Sequence, residues 1–144
     1  ISIMCIGFFR ITSDWNINIS TNVNSSPIVV TESNLFKNIQ EQKFNIIVSN
    51  PPYIRSDVIN KLSKQVQNEP HLALDGGEDG LKFYKKIIEQ ACNYIENGYL
   101  ILEIGYDQKE DVENLLKENR NYAEINTIQD LSGNDRCVVA KVCI

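Results

Sequence analysis

The sequence predicts an α/β layered domain with a mostly parallel sheet and an antiparallel C-terminal hairpin. Three observations carry that prediction. From Phe44 onward, short apolar runs of β type alternate with segments of helical periodicity. The first run, "NIIVS" (Asn45 to Ser49), is continuous rather than alternating, as in a strand covered on both faces. The last two runs, "AEINTIQD" and "RCVVAKVCI", are joined by the turn-type segment "LSGND", which reads as a hairpin at the sheet edge.

The elements follow in order. A long loop after "NIIVS" runs from Pro51 to about Asp79 and contains Pro70 and the turn-prone "DGGEDG". The segment "LKFYKKIIEQACNYI" puts Leu81, Tyr84, Ile88, Ala91 and Ile95 at helical spacing, and Asn97-Gly98 is the expected stop. "YLILEIG" (Tyr99 to Gly105) reads as a second buried strand. "DQKEDVENLLKEN" then places Asp107 and Glu110 in capping-box spacing and turns Val112, Leu115 and Leu116 inward. The first thirty residues differ. "ITSDWNINISTNVNSSP" is rich in Asn, Ser and Thr, and supports one or two short strands at most.

With 144 residues the chain is long enough for one domain with a real core. A net charge of −5 and a pI near 4.9 leave no electrostatic footprint of a general nucleic-acid binder. The four cysteines, Cys5, Cys92, Cys137 and Cys143, form no C-x-x-C pair and no metal-ligand spacing with the single histidine, His71. Free thiols and a cytoplasmic location are therefore the expectation, with no metal site. No stretch has the apolar length of a membrane span, and "ISIMCIGFF" lacks the basic flank of a signal peptide. The start at Ile1 leads us to expect further sequence upstream.

The chemistry concentrates where "NIIVS" ends, at "NPPY" (Asn50 to Tyr53). In open α/β sheets, ligands bind outside the carboxyl ends of the strands. The Asn50 side chain offers one acceptor and one donor group, suited to another amide or an exocyclic amine. Pro51 and Pro52 fix φ and remove two backbone donors, which leaves their carbonyls as rigid acceptors. Tyr53 adds an aromatic face. Together these residues can hold a planar –NH₂ group. They can equally form a rigid turn with Tyr53 as core filler.

"VSNPPYI", "EPHLALDGGEDGLKFYKKII", "LILEIGYDQ" and "DLSGNDRCVVAK" together resemble the bacterial protein-(glutamine-N5) methyltransferases of the HemK/PrmC family. The resemblance implies a Rossmann-like class I S-adenosylmethionine-dependent methyltransferase fold, N-terminally incomplete here. It implies methylation of the glutamine in the Gly-Gly-Gln motif of class 1 peptide chain release factors. Carried over by position, Asn50, Pro51 and Tyr53 become catalytic, and Asn50, Pro51, Pro52 and Tyr53 bind the substrate amide. Asn50 and Asn34 border the cofactor, Asn34 standing where the family usually has Asp. Glu103 is a further inward-facing candidate, and a structural carboxylate is an equal reading.

The resemblance covers roughly Thr31 to Lys141. It divides the chain into residues 1–30, a divergent or truncated remnant of the cofactor-binding half, and 31–144, the catalytic portion. The first forty residues contain no G-x-G, only Gly7, and Asn18 would replace the acidic residue that holds the ribose. The chain is therefore expected to be a weakly active or inactive form. An N6-adenine nucleic-acid methyltransferase uses the same amine-holding logic and is one rival reading. A non-catalytic remnant or interaction domain is another.

Overall fold

The computed structural model describes residues 3–7, 35–37, 39, 43–63 and 70–143. In chain order its elements are β1 (Ile3–Gly7), β2 (Phe44–Asn50), α1 (Ser56–Ile59), α2 (His71–Leu74), α3 (Lys82–Ala91), β3 (Ile95–Glu103), α4 (Lys109–Glu118), β4 (Tyr122–Gln129) and β5 (Asp135–Val142). The strands form one sheet in the order β1-β2-β3-β5-β4. β1, β2 and β3 are parallel, β5 is antiparallel to β3, and β4 is antiparallel to β5. Four of the five strands thus point the same way, as the α/β prediction requires. The predicted boundary between residues 30 and 31 lies outside the described residues, as do Asn18 and Asn34.

Period-two burial places the core on one face of the sheet. Ile47 of β2, Leu100 and Leu102 of β3, and Val138 and Ala140 of β5 are fully covered. α3 lies against this face because Phe83, Tyr84, Ile87, Ile88 and Ala91 form one apolar stripe, while Lys82, Lys85, Lys86 and Glu89 face solvent. Phe83, Ile87 and Ile88 each contribute about 1.5–3 kcal/mol by leaving water. α4 adds Val112 and Leu116 to the same core. The opposite-facing residues Ile46, Val48, Ile101 and Val139 are only half-buried.

Two predicted boundaries shift, each for a physical reason. α3 ends at Ala91 rather than at Asn97-Gly98, since a turn through Cys92 to Tyr94 brings the Tyr94 carbonyl to the Phe44 N–H at 2.7 Å. Asn97-Gly98 instead forms a bulge inside β3. The pairing steps from Phe44↔Ile95 to Ile46↔Tyr99, so β3 carries the extra residues, and Asn97 has φ +50°. The capping box before α4 does not form. The residue preceding the helix is Gln108, and its side chain makes no cap bond.

Candidate active site

β2 delivers Asn50 to the carboxyl end of the sheet, where Gly7 of β1 is its register partner. Beyond Asn50 the chain leaves the sheet through buried Pro51 and Pro52 and half-buried Tyr53. The Asn50 side chain is exposed and makes no hydrogen bond among the described residues. No described backbone N–H donates to the carbonyl of Pro51 or Pro52. Prolines supply no N–H of their own, so this corner is rich in open acceptors.

The next two residues are tied on every side. The Tyr53 carbonyl accepts from the Gln108 side chain at 3.1 Å. Ile54 donates to the Leu74 carbonyl at 3.0 Å and accepts from the Gly76 N–H at 2.8 Å, a short parallel bridge. The Ser56 N–H donates to the Gly77 carbonyl at 3.0 Å. The "DGGEDG" loop therefore clasps the chain just after "NPPY". A Cβ on Gly76 would lie 2.8 Å from Tyr53 Cα, so the close approach needs glycine there.

Asp75 closes the clasp. Its Oδ1 accepts from Ser56 Oγ at 2.7 Å and from the Gly77 N–H at 2.9 Å. These bonds, the serine first, hold its carboxyl below the usual carboxylate range. His71 sits one turn earlier, exposed, with Nδ1 3.8 Å from Asp75 Oδ2.

Tyr53 packs its ring against the core edge. Burial pushes its hydroxyl pKa up and the nearby Glu103 carboxylate adds to this, while Arg136 pulls part of the shift back. Arg136 is itself held by Asp130 Oδ2, at 3.3 Å from Nε and 3.2 Å from Nη2, and donates to the Ile104 carbonyl at 3.3 Å. This guanidinium joins the hairpin turn to the end of β3. Glu103 pairs in register with Cys137, and its backbone carbonyl accepts from the Tyr84 hydroxyl at 2.8 Å.

Asn50, Pro51, Pro52 and Tyr53 thus come together at one strand end, with Glu103 near the tyrosine. Asn34 lies outside the described residues. Nothing in the sequence marks Gln108 as a structural hub, because its neighbours come from three distant segments. Sequence reading also passes over Ser49, whose Oγ is fully covered and has no hydrogen-bond partner among the described residues. A polar residue directly before "NPPY" was the available signal.

The chain is similar to known proteins over most of its length. The family described as Eco57I restriction-modification methylase matches residues 8–135. The release factor glutamine methyltransferase of Fusobacterium nucleatum is 46% identical over 116 residues, covering 78% of this chain and 32% of that protein. The one from Thermodesulfovibrio yellowstonii is 40% identical over 119 residues, covering 81% of this chain and 42% of that protein. The chain therefore spans well under half the length of these curated relatives. A solved release factor-specific protein-(glutamine-N5) methyltransferase from Alicyclobacillus acidocaldarius gives a TM-score of 0.45 at 24% identity, covering 69% of this chain and 49% of that one. With the family match spanning most of its length, the chain belongs to the family described as Eco57I restriction-modification methylase, and its sequence is similar to release factor glutamine methyltransferases.

Proposed function

We propose that this chain carries the substrate clamp of an S-adenosylmethionine-dependent methyltransferase acting on a glutamine side-chain amide. The substrate is the glutamine of the Gly-Gly-Gln motif in class 1 peptide chain release factors, and the setting is the cytoplasm. One observation supports this most directly. Among the described residues nothing donates to the Asn50 side chain or to the Pro51 and Pro52 carbonyls, while Tyr53 and Ile54 immediately beyond are tied down.

An amide nitrogen is a poor nucleophile because its lone pair is delocalised into the carbonyl. Asn50 Oδ1 and the Pro51 carbonyl can accept its two N–H bonds, with the Tyr53 ring beside its plane. That arrangement orients the nitrogen and stabilises the positive charge that develops on it. Tyr53 acts as a neutral phenol, since its surroundings disfavour the phenolate. The chemistry is positioning and electrostatics, without a strong base.

S-adenosylmethionine supplies an electrophilic methyl group when bound. The described residues do not assemble a cradle for it. Asn50 and the end of β1 at Gly7 border the strand ends, but the sequence has no Gly-rich turn in its first forty residues. We therefore assign this chain weak cofactor affinity.

The family description names a restriction-modification methylase, which favours nucleic acid as a second reading. The net charge of −5 and the 40–46% identity to release factor methyltransferases weigh against it. The test is incubation with methyl-labelled S-adenosylmethionine and either a purified class 1 release factor or duplex DNA. Release-factor binding, with any label on its glutamine and loss of both in Asn50→Ala, supports the proposal. Binding and labelling of DNA with neither on the release factor overturn it.

A further inference from the structure

We propose that Gln108 is the positioning residue of the clamp: its buried side-chain amide locks the Tyr53 peptide to the Gly80 loop and to the end of β3. It thereby fixes how Asn50–Tyr53 faces a substrate amide. The inference rests on the clamp reading of those four residues.

A primary amide has two N–H donors and an oxygen with two lone pairs. Gln108 engages both N–H groups and its oxygen. Its Nε2 donates to the Tyr53 carbonyl at 3.1 Å and to the Gly80 carbonyl at 3.3 Å. Its Oε1 accepts from the Gly105 N–H at 3.1 Å, and the Tyr84 hydroxyl, whose proton goes to the Glu103 carbonyl at 2.8 Å, lies 3.5 Å away. Gln108 is only 7% exposed, so these bonds form where water does not compete.

The side chain does not serve its own helix, since it makes no cap bond to α4. It points instead to a place where "NPPY", the "DGGEDG" loop, the end of β3 and α3 meet. Gly80 is built for this contact. Its φ is +74°, and a Cβ there would stand 2.7 Å from Gln108 Nε2. Holding the Tyr53 carbonyl fixes the peptide plane that follows Tyr53, and with it the path of the chain that carries the ring. Gln108→Met keeps the length and apolar stem of the side chain. It leaves the Tyr53 and Gly80 carbonyls and the Gly105 N–H without this partner.

The experiment compares wild type, Gln108→Met, Gln108→Glu and Tyr122→Phe. The last removes a buried bond, from the Tyr122 hydroxyl to the Ile88 carbonyl at 2.7 Å, at the opposite end of the sheet. Unfolding midpoints show how far each variant is destabilised. NMR then follows the Asn50 side-chain amide and the Tyr53 ring, and titration with a class 1 release factor gives affinity.

In Gln108→Met, and more so in Gln108→Glu, where an oxygen replaces the donor, the Asn50 and Tyr53 signals shift. Release-factor affinity falls at least about tenfold. Tyr122→Phe changes neither. Unchanged Asn50 and Tyr53 signals in the Gln108 variants, or equal changes in Tyr122→Phe, overturn the inference. If wild type itself has no release-factor affinity, the proposed function fails, and the Asn50 and Tyr53 signals still decide the role of Gln108. Should neither Gln108 variant fold, exchange of the Gln108 side-chain N–H protons in wild type decides. Slow exchange supports the lock, and exchange at the rate of a free amide overturns it.

Discussion

Gly80 lies directly under the Tyr53 carbonyl: a Cβ at Gly80 would stand 2.6 Å from that oxygen. The loop and the clamp are therefore one packed unit, and the contact exists only because residue 80 has no side chain.

Gly80→Ala is expected to destabilise the fold by about 2–5 kcal/mol, the left-handed backbone and the overlap together. Gly133 provides the comparison, with φ +84° and nothing within 4 Å of its would-be Cβ. Gly133→Ala should show only the backbone part, about 1–2 kcal/mol. Urea unfolding of the two variants measures the difference, and equal losses would refute the close approach.

Much of this arrangement was legible in the sequence, for local reasons. "NIIVS" and "YLILEIG" announce buried strands, and a strand end carrying Asn50-Pro51-Pro52-Tyr53 announces a polar corner within four residues. What escaped the sequence depends on partners far away. Asn97-Gly98 carries the signature of a helix stop, yet the pairing of β2 with β3 makes it a bulge. Asp107 and Glu110 have capping-box spacing, but the helix follows Gln108, whose side chain turns to carbonyls 55 and 28 residues away. Periodicity cannot reveal a buried amide that serves three other segments.

Ser49→Ala should be neutral or stabilising by up to about 1 kcal/mol, because the covered Oγ has no partner among the described residues to lose. Thermal unfolding checks this. A loss above about 1 kcal/mol would mean that the hydroxyl is bonded after all.

Asp75 predicts an acid dependence. Its folded pKa is lowered by Ser56 and the Gly77 N–H, so its stabilisation is fully present above the ordinary carboxyl pKa of about 4. The stabilisation is lost as pH falls through the lower, folded value. Wild type should therefore exceed Asp75→Ala in stability at neutral pH, with the gap narrowing only below about pH 4. A gap that closes between pH 5 and 7 contradicts the assigned bonds.

Tyr53 predicts an alkaline dependence of opposite sign. Burial and Glu103 raise its pKa, so its contribution holds below the ordinary tyrosine value near 10 and fades as pH rises towards the folded value. The phenolate absorbance of wild type minus Tyr53→Phe should appear above pH ~10. A step at or below that pH would point to an exposed or anion-assisted phenol.

The most direct test of the clamp is to watch Asn50 while the substrate arrives. The Asn50 side-chain N–H signals are followed by NMR during titration with a class 1 release factor. The same titration is run with a release factor in which the Gly-Gly-Gln glutamine is replaced by glutamate. The clamp predicts that Asn50 and Tyr53 signals move with the glutamine form and stay in place with the glutamate form, which has no N–H bonds to offer. Equal movement with both forms, or movement with neither while an adenine-containing oligonucleotide shifts the same signals, would contradict it.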